Sequence, residues 1–118
     1  VAGTDSPGAK MMGEILGGEL GPFVGESYDA AALIMLAMQA AGSTNSADFA
    51  GKVLDVANAP GEKIYPGELG KGLKILAGGG DIDYVGASAV ELIGGGESSG
   101  SYREIVVEGA KNKTVGYR

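Results

Sequence analysis

The residues best suited by type to do chemistry are two acids and a serine, Asp81 and Asp83 in Asp81-Ile82-Asp83-Tyr84, and Ser88 in Gly86-Ala87-Ser88-Ala89-Val90. Carboxylates one residue apart point to the same face of a strand, where a pair can share a divalent cation or divide acid and base roles. No further ligand stands with them, and a solvated edge flanking buried Ile82 and Tyr84 explains the same pattern. Ser88 lacks the second glycine of a nucleophile elbow, and the chain has no histidine to activate it.

The glycine clusters invite a phosphate-binding reading that fails on spacing. A P-loop needs a glycine five residues ahead of Gly-Lys and a Ser or Thr after it. Tyr65 precedes Gly70-Lys71 and Gly72 follows, while Ser46 precedes Gly51-Lys52 and Val53 follows. Gly94 to Gly100 does not match G-x-G-x-x-G and has no helix after it to supply an N-terminus. Asn112-Lys113-Thr114 is a formal glycosylation sequon.

Composition narrows the chemistry further. With no Cys and no His, thiolate catalysis, Cys or His metal sites and histidine general bases are all excluded. A net charge of -6, with nine scattered basic residues, argues against nucleic acid, because phosphate contacts need clustered Lys and Arg. The 118 residues suffice for one domain with a modest core. Its 23 glycines follow no G-X-Y period, so they mark tight turns rather than collagen.

The element that must position everything else is the apolar helix expected from Ser27 to Ala41, with Ser27 as N-cap, Asp29 at the positive end of the dipole and Gly42 as the stop. Between Ala30 and Ala41 only Gln39 is polar, so the helix is expected to be central and covered on most sides. It is too short for a membrane span, which takes about 20 apolar residues.

Upstream, Val1 to Thr4 reads as the end of a strand. Ser6-Pro7 caps a helix to about Leu16, with Met11, Met12, Ile15 and Leu16 as its apolar stripe. Downstream, Ser46 is expected to cap one helix carrying Phe49, Val53, Val56 and Ala57 on one face, ended by Asn58-Ala59-Pro60-Gly61. A third helix is expected to start at Tyr65-Pro66 and to end at Gly78-Gly79-Gly80, with Leu69, Leu73 and Leu76 inward. From Asp81 the pattern turns to strands: Ile82 with Tyr84, then Val90, Leu92 and Ile93, then Tyr102 to Glu108. A turn at Gly109 to Asn112 returns Thr114 to Tyr117 as a hairpin partner. Gly94 to Gly100 reads as a flexible loop. Residues 1-80 are therefore mainly helical and 81-118 mainly strands, an α/β or α+β domain.

Two phrases also carry a resemblance. Pro22-Phe23-Val24-Gly25-Glu26-Ser27-Tyr28-Asp29-Ala30-Ala31 opens the long helix, and Gly70-Lys71-Gly72-Leu73-Lys74-Ile75-Leu76-Ala77 is followed by Asp81-Ile82-Asp83-Tyr84-Val85-Gly86-Ala87-Ser88. In type and spacing these are similar to branched-chain amino acid ABC transporter substrate-binding proteins, the leucine/isoleucine/valine type of periplasmic protein. The resemblance covers nearly the whole chain and only the C-terminal portion of such a protein, so a leader and a larger first part are expected upstream.

The resemblance implies an α/β fold, part of a type I periplasmic-binding-protein fold with Rossmann-like lobe helices followed by C-terminal β-strands. It implies a periplasmic, non-enzymatic protein without cofactor or metal, which closes two lobes around an amino acid or similar solute and hands it to an ABC permease. In the family, the loop entering the Tyr-Asp-Ala helix lines the side-chain pocket. Phe23 is thereby the candidate apolar wall and Glu26 the candidate polar contact, with simple anchoring of the loop as the alternative for both. Gly25 occupies a position that can be bulky in relatives, and Gly94 to Gly100 departs from the acidic turn usual there.

The family's main grip on the amino acid's charged groups would lie upstream, so the chain alone is expected to bind little. Lost neighbours are expected to favour a homo-oligomer or domain swap. Two other classes fit the same residues: a ligand-sensing domain of a receptor or regulator, and a small acidic α/β enzyme using Asp81 and Asp83.

Overall fold

The computed structural model describes all residues except Ala59 and Val90, and among the described residues four helices come first, a β-α-β unit follows and four short strands close the chain. Helix α1 (Pro7–Leu16) starts where Ser6 Oγ accepts from Ala9 N at 3.1 Å. It stops at Gly17, whose φ of 83° lets its N–H reach Gly13 O. Of its apolar stripe Met12 is buried, but Ile15 and Leu16 face solvent.

Helix α2 (Val24–Ala41) begins before the expected cap, since Ser27 N already donates to Phe23 O and lies in the first turn. Gly42 ends it in a left-handed conformation, as its position suggested. The helix buries Gly25, Asp29, Ala32 and Leu36, a four-then-three spacing that defines one face. Ile34 and Met35 are exposed, so α2 is covered on one side rather than on most.

The single helix expected after Ser46 is broken. Asn45, not Ser46, caps α3 (Ser46–Phe49), and α4 (Lys52–Ala57) resumes after Ala50-Gly51. Val56 and Ala57 reach the core, while Phe49 and Val53 pack at its margin. Asn58 then turns extended and mimics a strand. Its Nδ2 donates to Leu92 O at 2.7 Å, and its Oδ1 accepts from Leu92 N at 3.1 Å. The remainder of that stop includes Ala59, outside the described residues.

The third expected helix starts late. Glu62–Ile64 is strand β1, inside the half read as helical, and helix α5 (Leu69–Ala77) begins only after Tyr65-Pro66-Gly67-Glu68. Those four residues are a turn: Pro66 is followed by Gly67 at φ 89°, and Glu68 N donates to Tyr65 O at 2.9 Å, the type II signature. The Pro-Gly pair reverses the chain here instead of opening a helix. Gly72 lets α5 approach closely, since a Cβ there would sit 3.1 Å from Leu36 Cδ2 and 3.3 Å from Ile64 Cγ2.

Strand β2 (Ile82–Tyr84) pairs parallel with β1, the crossover being α5. Asp81 lies before the strand and is exposed, whereas Asp83 is buried, so the two carboxylates do not form a solvated pair on one strand face. Ala32, Leu36, Ala37, Val56, Ile64, Ile82 and Tyr84 form the main core. A smaller cluster joins Ala9, Met12, Leu20 and Ala87, and Tyr28 packs against both.

The Gly94 to Gly100 stretch is partly ordered into a 3-10 turn and a short strand β4 (Ser98–Ser99), antiparallel to β3 (Glu91–Leu92). Val90, expected in that run, is outside the described residues. The final hairpin, β5 (Arg103–Glu108) and β6 (Lys111–Tyr117), turns on two residues, Gly109 and Ala110, both at positive φ. Lys111 and Asn112, expected in the turn, belong to β6. Val1 to Gly3 runs antiparallel to the lead-in of β5, with Gly3 N to Ser101 O at 2.9 Å and Arg103 N to Val1 O at 2.8 Å. Two neighbouring strand segments thus link the helical body to the hairpin.

Candidate functional site

The loop from Gly17 to Phe23 connects α1 to α2, and it is shaped by what packs under it. Leu20 is buried in the smaller cluster, and Gly25 comes so close to the 86–88 loop that a Cβ would stand 3.1 Å from Ala87 Cβ. A bulky residue at position 25 would displace that loop. Phe23 is forced to a φ of 64° and leaves its side chain 63% exposed. No side chain caps the start of α2. Glu26 lies in the first turn, half-buried, and its Oε2 accepts from Ala2 N at 3.2 Å. Of the two sequence-derived site residues, one presents a free aromatic ring and the other anchors the N-terminal strand.

Beside this loop a cleft of about 940 Å³ opens between Glu19–Pro22 and the hairpin, bordered by Arg103, Ile105, Glu108 and residues 111 to 114. Phe23 and Glu26 do not line it. Arg103 does, and sequence reasoning missed it. Its guanidinium is buried, with Nη1 at 2.8 Å from Glu19 Oε1 and Nη2 donating to Leu20 O at 3.0 Å. The available signal was strand alternation, because Arg103 shares a face of β5 with Ile105 and an arginine on an apolar face needs a partner.

Behind α2 lies a second polar cluster. Asp29 is buried and accepts from Tyr84 Oη at 2.8 Å, Ala87 N at 2.9 Å, Ser88 N at 2.7 Å and Ser88 Oγ. Its role is therefore more than a dipole partner: it ties α2 to the loop after β2. Gly86 has to be glycine, since a Cβ there would collide with the Asp29 carboxylate. Burial first, then the Asp29 charge and hydrogen bond, push the Tyr84 phenol far above its ordinary value. Ser88 is buried and committed to Asp29, an arrangement for holding a loop rather than for attacking a substrate.

Among the described residues no three acidic side chains converge as a metal site, and no helix is long and apolar enough to cross a membrane. Comparison of the chain with protein-family models, curated proteins and solved structures finds no match. Fold and site together define an α/β domain with small two-stranded sheets and an open cleft between the α1–α2 loop and the C-terminal hairpin.

Proposed function

We propose that this chain is part of a solute-binding protein of the leucine/isoleucine/valine type, which captures an extracytoplasmic amino acid or similar small solute and delivers it to an ABC permease. In this reading the protein is periplasmic and has a type I periplasmic-binding-protein fold. Residues 1-118 contribute lobe helices and C-terminal strands, and other parts of the protein complete the sheet and the cleft.

The observation that carries the reading is Phe23. A non-glycine residue held left-handed costs about 1–2 kcal/mol, and Phe23, 63% exposed, is not placed there by core packing. Strain of this kind clusters at ligand clamps, where the surrounding structure imposes it. Supporting it, β1 and β2 form a parallel pair, and parallel strands ordinarily belong to larger sheets covered on both faces. The pairing of Val1 to Gly3 with Ser101 to Arg103 is compatible with hinge movement between the helical body and the hairpin, which Arg103 also joins through Glu19 and Leu20 O. Binding by closure needs no covalent step; Phe23 walls the solute's side chain, and Glu26 supplies a polar contact from the first turn of α2.

The test is Phe23→Gly introduced at the native locus, with uptake of radiolabelled L-leucine as readout. Glycine relieves the left-handed strain, so melting temperature should hold or rise while uptake falls. Unchanged uptake would refute the assignment.

A further inference from the structure

The most unusual polar group in the molecule is Arg103. Its side chain is 5% exposed, whereas that of its partner Glu19 is 63% exposed. The pair is asymmetric: a buried cation is held by an anion that reaches in from solvent. One oxygen of that anion, Glu19 Oε1, receives both Arg103 Nη1 at 2.8 Å and Thr114 Oγ1 at 3.5 Å. Arg103 Nε is buried and has no acceptor among the described residues. A buried guanidinium with an unused N–H is costly, and its planar fork is suited to two parallel bonds with one carboxylate. Glu108, Lys111 and Lys113 border the same cleft; Lys113 pairs with Glu108 at 3.3 Å, so Lys111 adds the further positive charge there.

We infer that the cleft between the α1–α2 loop and the hairpin is a seat for a small-molecule carboxylate, held by Arg103 and Thr114, and that Glu19 occupies it as an internal stand-in. The chemical class follows from the group now in place, since a ligand carboxylate replaces the Glu19 carboxylate like for like. The buried cation stays paired throughout, because one anion leaves as the other arrives. The seat stands on Arg103 and its surroundings alone and does not require the importer reading.

The test follows the Arg103 Nε–H signal by ¹⁵N–¹H NMR on the 118-residue chain, with sodium acetate titrated at ionic strength held constant by sodium chloride. Glu19→Gln should show a saturable shift at a concentration about tenfold lower than the unsubstituted chain, because the internal competitor is gone. Arg103→Lys, which keeps the charge and loses the fork, should abolish saturable perturbation of the Thr114 amide. Should that variant fail to fold, the Glu19→Gln titration decides alone. No saturable shift in Glu19→Gln, or the same shift from chloride, overturns the seat. L-leucine and leucinamide separate the sources: leucine binding with leucinamide silent supports an amino-acid carboxylate. Acetate binding without leucine keeps the seat and counts against the amino-acid reading only.

Discussion

Replacing Asp29 by Asn tests the clamp between α2 and the 86–88 loop with almost no change of shape. The carboxylate is met on one side by Tyr84 Oη and Ala87 N, and on the other by Ser88 N and Ser88 Oγ. An amide must turn its NH₂ toward one side or the other. Toward the first, the Tyr84 hydroxyl can rotate and accept, but the Ala87 N–H faces a donor. Toward the second, the Ser88 hydroxyl can accept, but the Ser88 N–H faces a donor. Either way one buried backbone N–H is left unsatisfied, at about 1–3 kcal/mol. The surviving bonds also lose charge assistance, which roughly doubles such bonds. The expected loss is about 2–4 kcal/mol, a large share of the roughly 5–15 kcal/mol typical of a domain. Urea denaturation at neutral pH measures it, and hydrogen exchange at the Ala87 and Ser88 amides should accelerate together. A loss below about 0.5 kcal/mol, the size of an ordinary surface substitution, would refute the reasoning.

Tyr84 makes the fold sensitive to base. Its neutral phenol is favoured in the folded chain, so its contribution is complete below the ordinary tyrosine value of about 10 and is lost as pH rises above it, by up to about 1.4 kcal/mol per unit. Alkaline denaturation should show that slope, and Tyr84→Phe should flatten it at the expense of some stability at neutral pH. Ala110 sits at φ 62° in the hairpin turn, so Ala110→Gly should stabilise the chain by about 1 kcal/mol in thermal melts, and a loss would count against the turn assignment. Ile34 and Met35 on α2 and Val107, 77% exposed on the hairpin, are apolar surface that should drive association in sedimentation experiments at high concentration. Ile34→Lys should weaken it, and a concentration-independent monomer would refute it.

Much of the fold is legible in local chemistry. Ser6 with Pro7, Gly17 and Gly42 mark ends that depend on the residues at those points and fall where expected, and the final turn begins at Gly109 as expected but is two residues shorter. Most of what escaped was set by distant packing. Nothing near Phe23 announces a left-handed aromatic; the Gly25 to Ala87 contact beneath it joins segments far apart in sequence. The 65–68 turn was misread because Pro opens helices as readily as turns, and only the following Gly67 decides. Asp29 looks like a dipole partner until Ser88, 59 residues away, is placed on it. The Arg103 seat spans 84 residues to Glu19, and strand alternation alone hints at its burial.

The solute-binding assignment makes a direct demand on the native protein. Osmotic-shock fluid from the source cell, probed with an antibody to this sequence, should yield a species several times heavier than 11.7 kDa by intact mass. A native species of 11.7 kDa retained in the cytoplasm would contradict the account.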